Sequence, residues 1–515
     1  MNELIEIFGV VKSRRITQPG KLNPFDRHKE PISYKFYNGL LKGLYSSDAE
    51  AREALYGKNI GRSIGKGILK KYNMLKKRMK QRVFTAVLFP AEGKYPANGY
   101  AWTFMFCYRN FTIGRVLLFF GAHVSGRSLL KKVLARACEF EIYDIALSSA
   151  IALRREMVVI GDHKEFTENK KLIKEFQVKL VAESAMEEIY YDLEFPFATK
   201  LYISPAIVEA AKVGLKEAER IAKSCPTFRT LSLYTDIKIF DCQVRGALIE
   251  ATETFDEAIA TLENNKKMYS KARKGLLLLR KMDTTLLLNK ISMAYQCAEQ
   301  CLDIFLPGTN NWYLVKELLF LVQINDPSKG LENAIATYTN SIKLPEFKNL
   351  ERPEQEKWHI YGGYLWLMLT YRNKLSEREA AFGIRKGFDI TTLSNKITVT
   401  GKDKKGVYVS FTILKALIYL QEKKTKGLET SKESLKNYLS LNLRGDNGRG
   451  RNFIRLLKAI IENEGRLKVH ASHIKKLGSA LVRTEPAITA IQLQIEVISY
   501  SKLWKIAEEM VKKRK

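Results

Sequence analysis

The sequence predicts a mostly α-helical protein in which a basic N-terminal helical module precedes a long helical-repeat solenoid. Three observations lead to this prediction. Apolar residues recur at helical spacing through most of the 515 residues. Helical segments alternate with short turns rich in Gly, Pro, Asn or Asp. One segment recurs at an offset of 76 residues, which is close to two stacked helix pairs of roughly 34–40 residues each.

Positive charge dominates the composition. The chain carries 86 Lys and Arg against 55 Asp and Glu, a formal net charge of +31. Residues 1–82 hold 19 Lys/Arg and 7 Asp/Glu, so the front end is much denser in positive charge than the rest. Such an excess predicts an anionic partner, or it keeps the protein soluble. No apolar run approaches the ~20 residues of a membrane span, so we expect a cytoplasmic protein without a membrane partner.

Residues 1–90 are expected to form the basic module, with helices at 33–45, 48–56 and 64–84. Ser47 and Glu50 have the spacing of a capping box at the start of the second helix, and Gly57 offers a left-handed stop. The order and lengths resemble a helix-turn-helix unit, in which the third helix enters a groove of nucleic acid. The apolar stripe of this third helix consists of Ile68, Tyr72, Leu75, Met79 and Val83.

Cations cover the other faces of the third helix, and such side chains can contact the phosphates of DNA or RNA. The preceding connection, Lys58–Gly67, is longer than a helix-turn-helix motif expects, and the helix is poor in base-reading amides. We therefore expect phosphate contact rather than sequence reading; a basic solvated face and an acidic protein partner are the alternatives. A second basic segment lies at 444–451. The predicted nucleic-acid-binding residues are Lys66, Lys70, Lys71, Lys76, Lys77, Arg78, Lys80, Arg82, Arg449 and Arg451.

Residues 91–390 are expected to form the repeats. The segments 255–265 and 331–341 align without gaps. In 358–369 an aromatic residue is followed by small residues and then by bulky ones, an order typical of the first helix of a repeat. These features resemble tetratricopeptide-like (TPR-like) helical-repeat proteins over roughly residues 100–390. The resemblance implies stacked helix pairs that bind a protein or peptide; no unit carries the complete family pattern, so no binding residue is transferred.

Residues 391–515 are expected to be mostly helical, with a minor β element near the C-terminus. Segments 397–400 and 407–411 could pair as a hairpin, unless the helical spacing that is clear from Leu414 begins earlier. Apolar and polar residues alternate from Ile491 to Val497, which is the period of a strand.

One segment has the spacing of a phosphate-binding loop. Gly121–Ser128 matches it with Arg127 in the lysine position. The planar arginine fork fits that place poorly, and the flanking residues predict a helix-helix turn. We therefore expect a binding protein and not an enzyme, with no cofactor and no metal. The leading hypothesis is a nucleic-acid-associated regulator with a protein-interaction surface. The alternatives are a cytoplasmic TPR-like scaffold and, as a minor one, a nucleotide-binding enzyme.

Overall fold

A computed structural model of the chain shows helices packed in neighbouring pairs, and the part that it describes contains no strand. The helices group into two compact units, Met1–Leu180 with Asn265–Ser270, and Val181–Asn264 with Lys271–Lys515. The division at residues 90 and 390 stays a prediction. The described residues are 3–4, 7–8, 31–45, 47–57, 62–88, 99–199, 205–288, 290–326, 330–374, 390–397, 407–422, 424–442, 449–462, 474, 477–479, 481 and 496–512.

The first unit begins with three helices that share a small core of their own, and the three helices after them pack each on the next. Left-handed glycines end two of the longer helices, Gly121 with φ 84° and Gly161 with φ 74°. The helices are α1 (Pro31–Leu41), α2 (Asp48–Tyr56), α3 (Arg62–Leu88), α4 (Tyr100–Phe119), α5 (His123–Glu139), α6 (Tyr143–Ile160) and the first part of α7 (His163–Thr199).

The second unit contains the rest of α7 and all later helices, and most of them pack against the next helix in sequence. A 3-10 turn, Pro345–Asn349, follows the helix Gly330–Lys343. The helices are α8 (Pro205–Ser224), α9 (Phe228–Arg245), α10 (Leu248–Asn264), α11 (Lys271–Leu287), α12 (Ile291–Ile304), α13 (Asn310–Asn325), α14 (Gly330–Lys343), α15 (Arg352–Tyr371), α16 (Ile390–Lys396), α17 (Val407–Gln421), α18 (Thr425–Asn442), α19 (Arg449–Glu462) and α20 (Tyr500–Lys512).

Two helices form the centre of the second unit. Helices α13 and α15 are buried over most of their circumference, and one continuous apolar core runs from Leu278 on α11 to Val511 on α20. In this core the ring of Phe320 stacks on that of Tyr361, and Trp358 packs at an angle against both rings. Gly362 has no side chain because a Cβ there would run into the ring of Tyr338 on α14. Close approach of α14 and α15 therefore depends on a small residue, as the sequence pattern predicted.

The two segments that align at an offset of 76 residues lie on α10 and α14. Helix α14 packs more on α13 than on α15, whereas α10 packs about equally on α9 and α11, so the two segments do not occupy the same place in a helix pair. Phe255 and Leu331, which the alignment pairs, are both buried, at 0% and 4% exposure. The paired alanines differ, since Ala334 is fully buried and Ala258 is half-buried. The alignment therefore predicts which helix face is buried, but it does not predict how deeply each aligned residue is buried.

Of the two alternatives for this segment, the earlier start of the helix is confirmed and the hairpin is not. Val407–Phe411, the possible second strand, is the start of helix α17. Residues 409–414 are all buried, so this part of the helix has no solvent-exposed face. A sequence segment that is buried on all sides lacks the alternation of apolar and polar residues by which a helix is recognised. Residues 398–406 and 491–495 lie outside the described part, and Glu496–Ser499, at the end of the second proposed strand, has no regular structure. Among the described residues, no helix is long and apolar enough to cross a membrane.

Candidate nucleic-acid interface

Helices α1, α2 and α3 form the cluster that carries the predicted interface. The Ser47 hydroxyl accepts a hydrogen bond from the amide of Glu50 at 3.2 Å, as the sequence predicted, and Gly57 ends α2 with φ 92°. The connection from α2 to α3 spans residues 57–61 and not the ten residues that the sequence indicated, because α3 begins already at Arg62. The spacing is therefore closer to that of a helix-turn-helix unit.

The predicted apolar stripe of α3 faces the core of this cluster. Tyr72, Leu75, Met79 and Val83 are buried, and Ile68 is half-buried at the N-terminal end. They pack against residues of α1 and α2, together with Leu4 and Phe8. Because one face of the helix is fixed in this way, the side chains on the opposite face must point away from the cluster.

Two of the ten predicted residues are engaged inside the cluster. The Nζ of Lys76 lies 2.8 Å from Oδ1 of Asp48, and the Tyr72 hydroxyl donates to the same oxygen at 2.7 Å. Burial alone would raise the pKa of Asp48, but the hydrogen bonds from Lys76 and Tyr72 outweigh it and lower this pKa to about 2. Lys80 pairs with Glu3 and lies over the ring of Phe84. Lys76 and Lys80 therefore make ion pairs within the protein and are not free for another partner.

Four other cations of α3 remain exposed. Lys70, Lys71, Lys77 and Arg78 are all exposed and have no carboxylate partner among the described residues. They occupy the face opposite the apolar stripe, around the half-exposed Met74. Helix α3 has no acidic residue in 27 positions, so no charge on this helix neutralises them. The result is an exposed cationic face on α3 around Met74.

The remaining predicted residues are placed less directly. Lys66 lies in α3, but its side chain is outside the described part, and Arg82 is half-buried near the C-terminal end of the stripe. Arg449 and Arg451 stand at the start of α19, where Arg451 is half-buried and the side chain of Arg449 is not described. Residues 443–448, the basic segment before α19, also lie outside the described part.

The segment with phosphate-loop spacing forms the turn between α4 and α5. Gly126 lies inside α5, where its amide donates to the carbonyl of Ala122 at 2.9 Å. A Cβ at Gly126 would come within 2.7 Å of Leu118, so this glycine permits α4 and α5 to cross closely. Arg127 reaches Glu156 on α6 at 3.4 Å, and His123 contacts the same carboxylate at 2.9 Å. Gly121, with φ 84°, thus belongs to the turn, Gly126 permits the close crossing, and Arg127 pairs with a neighbouring helix.

A buried polar network in the second unit was not predicted. Glu317 on α13 accepts a hydrogen bond from the Tyr361 hydroxyl at 2.6 Å and pairs with Lys357 at 2.8 Å. Burial alone would lower the pKa of Lys357, but Glu317 and Glu354 raise it. On α11, burial and the nearby charge of Glu317 raise the pKa of Asp283 to about 7. The partners are some 40 positions apart in sequence, and only packing of alternate helices brings them together.

Comparison with known proteins adds no relative: no family model, no curated protein and no solved structure matches this chain.

Proposed function

We propose that this protein is a non-enzymatic, nucleic-acid-associated regulator. In this proposal the exposed cations of α3 contact the phosphates of DNA or RNA, and the helix pairs form a TPR-like solenoid that holds a protein or peptide. The observation that carries the proposal is a set of four exposed cations, Lys70, Lys71, Lys77 and Arg78, which have no carboxylate partner within the described residues and lie on an acid-free helix. All-helical packing in neighbouring pairs supports the repeat part.

The spacing of these cations suits a phosphate backbone. Lys70 and Lys77 are two helical turns apart, as are Lys71 and Arg78, which places each pair about 10.5 Å apart along the axis. A rigid helix therefore presents two parallel rows of charge, and each phosphate contact releases condensed counterions. Asn73 is exposed beside them, but a single amide gives little base readout. We expect affinity for phosphates with weak sequence preference.

The test is a binding titration with fluorescein-labelled 20-base-pair duplexes of DNA and of RNA with the same sequence, followed by anisotropy. The variant changes all four cations to Glu. The matched control changes Lys171, Lys174, Lys212 and Lys216 to Glu; these are exposed residues of α7 and α8 without a partner in the described part. Both variants therefore shift the net charge equally, and only one alters α3.

We expect the α3 variant to bind at least about 50-fold more weakly, since four phosphate contacts are lost, while the control loses about threefold or less. Circular dichroism checks that both remain helical. Equal losses in the two variants would mean that bulk charge, and not α3, holds the nucleic acid. Comparison of the duplex types tells DNA from RNA, because an interface for RNA must meet the A-form geometry.

The second candidate function is a cytoplasmic scaffold that binds only protein, and one observation favours it. Phe119 and Phe120 are 83% and 78% exposed at the end of α4, and Val158 and Val159 are 67% and 76% exposed at the end of α6. Large apolar side chains exposed together mark protein-interaction sites. A Phe119→Ser/Phe120→Ser variant that loses a co-purifying protein, in a chain that binds neither duplex, would favour the scaffold.

A further inference from the structure

Helix α7 exposes one side along most of its length. An α-helix has 3.6 residues per turn, so exposed residues that recur at steps of three and four fall on the same side, which we call the outer face of α7. The charged residues and the central apolar residues of this face are Lys170, Lys174, Val178, Val181, Glu188 and Asp192. Because all six side chains are exposed, the outer face is open to another molecule.

Charge on the outer face of α7 is arranged symmetrically about Val181, with opposite signs on the two sides. Lys170 lies eleven residues before Val181, and Asp192 lies eleven residues after it. Lys174 and Glu188 lie seven residues before and after it. None of these four charged groups makes an ion pair with another described residue. In a chain of net charge +31, copies repel one another in bulk, so a contact between copies requires local complementarity of this kind.

This order makes the outer face complementary to itself in one direction only. When two copies of α7 lie antiparallel and cross at Val181, Lys170 of each copy lies opposite Asp192 of the other. Lys174 and Glu188 meet in the same way, and two-fold symmetry doubles both contacts. In a parallel pair each lysine would face the same lysine of the other copy, and the repulsion disfavours that arrangement.

Apolar side chains occupy the centre of the outer face, where two crossing helices come closest. Val178 and Val181 are 64% and 70% exposed. Tyr191 and Phe195, nearer the C-terminal end of α7, are 56% and 72% exposed. A helix face that meets only water typically carries polar residues instead. Contact with a second copy removes apolar surface from water, which favours association.

We propose that the protein forms a homodimer in which the outer face of α7 packs antiparallel on the same face of a second copy, with the two-fold axis at Val181. The partner is a copy of this chain because the charges that match lie within one sequence. The contact is a single helix pair and therefore a small interface, so we expect a Kd of about 10 µM.

The homodimer does not depend on nucleic-acid binding. Lys174 also belongs to the control variant of the duplex titration. That titration is therefore made below about 1 µM protein, where the parent is a monomer.

Sedimentation velocity over about 1–100 µM protein tests the homodimer. The parent should change from a monomer of 59.0 kDa to a dimer with a midpoint of about 10 µM. Lys170→Glu/Lys174→Glu and Glu188→Lys/Asp192→Lys each place like charges opposite one another at every contact. Each variant should therefore weaken the dimer at least about 30-fold.

The matched control is Lys212→Glu/Lys216→Glu, which reverses two exposed lysines of α8. It changes the net charge as much as the lysine variant of α7 does, and it should dimerise as the parent does. Circular dichroism checks that all variants remain helical. A control that loses the dimer as fully as the α7 variants would show that bulk charge governs association, and it would overturn the proposal.

An equimolar mixture of the two α7 variants gives the sharpest measurement. In the mixed pair every substituted residue faces a charge of opposite sign, so a heterodimer should form with about the affinity of the parent, although neither variant dimerises alone. A parent that stays monomeric at about 100 µM would overturn the proposal. Variants that dimerise as well as the parent, or a mixture that forms no dimer, would overturn it too.

A cysteine at the two-fold axis tests the register of the pair. In Val181→Cys the two thiols of a dimer lie close together, so a short bismaleimide should link the two chains covalently. Val213→Cys, at a position of α8 that is 61% exposed, is the matched control and should remain a single chain, as should the parent. Equal cross-linking of Val181→Cys and Val213→Cys would show that the contact is not centred on Val181 and would overturn the proposed pairing.

Discussion

Lys76 on α3 and Asp48 at the start of α2 form an ion pair, with 2.8 Å between Nζ and Oδ1. This pair connects the helix that carries the interface to the helix that supports it, and Tyr72 completes it from the buried face. The ion pair fixes α3 against α2. Its contribution to stability can therefore be measured by unfolding, without a binding experiment.

Asp48→Asn should lower the free energy of unfolding at pH 7 by about 1 kcal/mol, because both side chains are partly exposed to solvent. The folded pKa of Asp48, about 2, lies below its value in the unfolded chain. Its contribution is therefore complete above about pH 4 and is lost as the pH falls toward 2. Urea melts of the parent and of Asp48→Asn between pH 7 and pH 3 measure the difference, which should shrink at the acid end. A constant difference would show that the ionised carboxylate is not what stabilises the cluster.

The salt dependence of binding gives a second prediction. With about six phosphate contacts, log Kobs should fall with log salt at a slope of about −5, and loss of four contacts should reduce the slope by about 3.6. The quadruple α3 variant is the one to compare, since reversal of Lys76 or Lys80 would also break ion pairs inside the cluster. Anisotropy titrations at four salt concentrations supply the slopes. A parent whose affinity does not change with salt does not bind through phosphates.

The aligned segments 255–265 and 331–341 give a third prediction: substitution of Ala334 should destabilise the protein more than substitution of Ala258. Ala334→Leu should lower the free energy of unfolding by about 1–3 kcal/mol, because the site is fully buried and has no room for a larger side chain. Ala258→Leu should cost about 1 kcal/mol or less, since this side chain is half-buried. Glu253→Ala, at an exposed site on α10, serves as the control. Denaturant melts of the three variants decide it; a larger loss at Ala258 would contradict the burial seen here.

Asp283 gives a fourth prediction. Its pKa in the folded protein, about 7, lies above that of the unfolded chain, so the folded state holds a proton that the unfolded state has lost. The parent should therefore lose stability as the pH rises from about 4 to 7 and should level off above that. Asp283→Asn removes this dependence and should stabilise the protein by about 2 kcal/mol at pH 8. Melts at pH 5 and pH 8 test it, with Asp303→Asn on α12 as a control; a parent that gains stability over this range would contradict the prediction.

The turn between α4 and α5 gives a fifth prediction. Gly126→Ala should cost about 1–3 kcal/mol, because its Cβ would overlap Leu118. ATP with magnesium should not shift the melting temperature of the parent or of Arg127→Ala. A true nucleotide site would raise stability by about 2.7 kcal/mol at a hundredfold excess of ligand over Kd. A shift that appears in the parent and disappears in Arg127→Ala would restore the nucleotide-binding alternative.

Local patterns predicted the front cluster well. Ser47 caps α2 and the stripe from Tyr72 to Val83 is buried, because capping and amphipathic spacing depend on residues close in sequence. At α17 the same patterns left a hairpin and a helix open, because burial on all sides removes the period that identifies a helix. They also treated the cations of α3 as equal, since a sequence does not show that Asp48 and Glu3 approach Lys76 and Lys80. The network around Glu317 depends on contacts between different helices, so no pattern of neighbouring residues in the sequence predicts it.

The acid-free composition of α3 has a thermodynamic consequence for the whole front cluster. Like charges one turn apart on a helix, such as Lys76 and Lys80 or Arg78 and Arg82, destabilise it by about 0.2–0.5 kcal/mol for each pair. Added salt screens this repulsion, and it also competes with phosphates for the same side chains. Salt also screens the attractive pairs Lys76–Asp48 and Lys80–Glu3, so within the fold of α3 its two effects oppose each other, whereas on the proposed phosphate contacts it acts in one direction only.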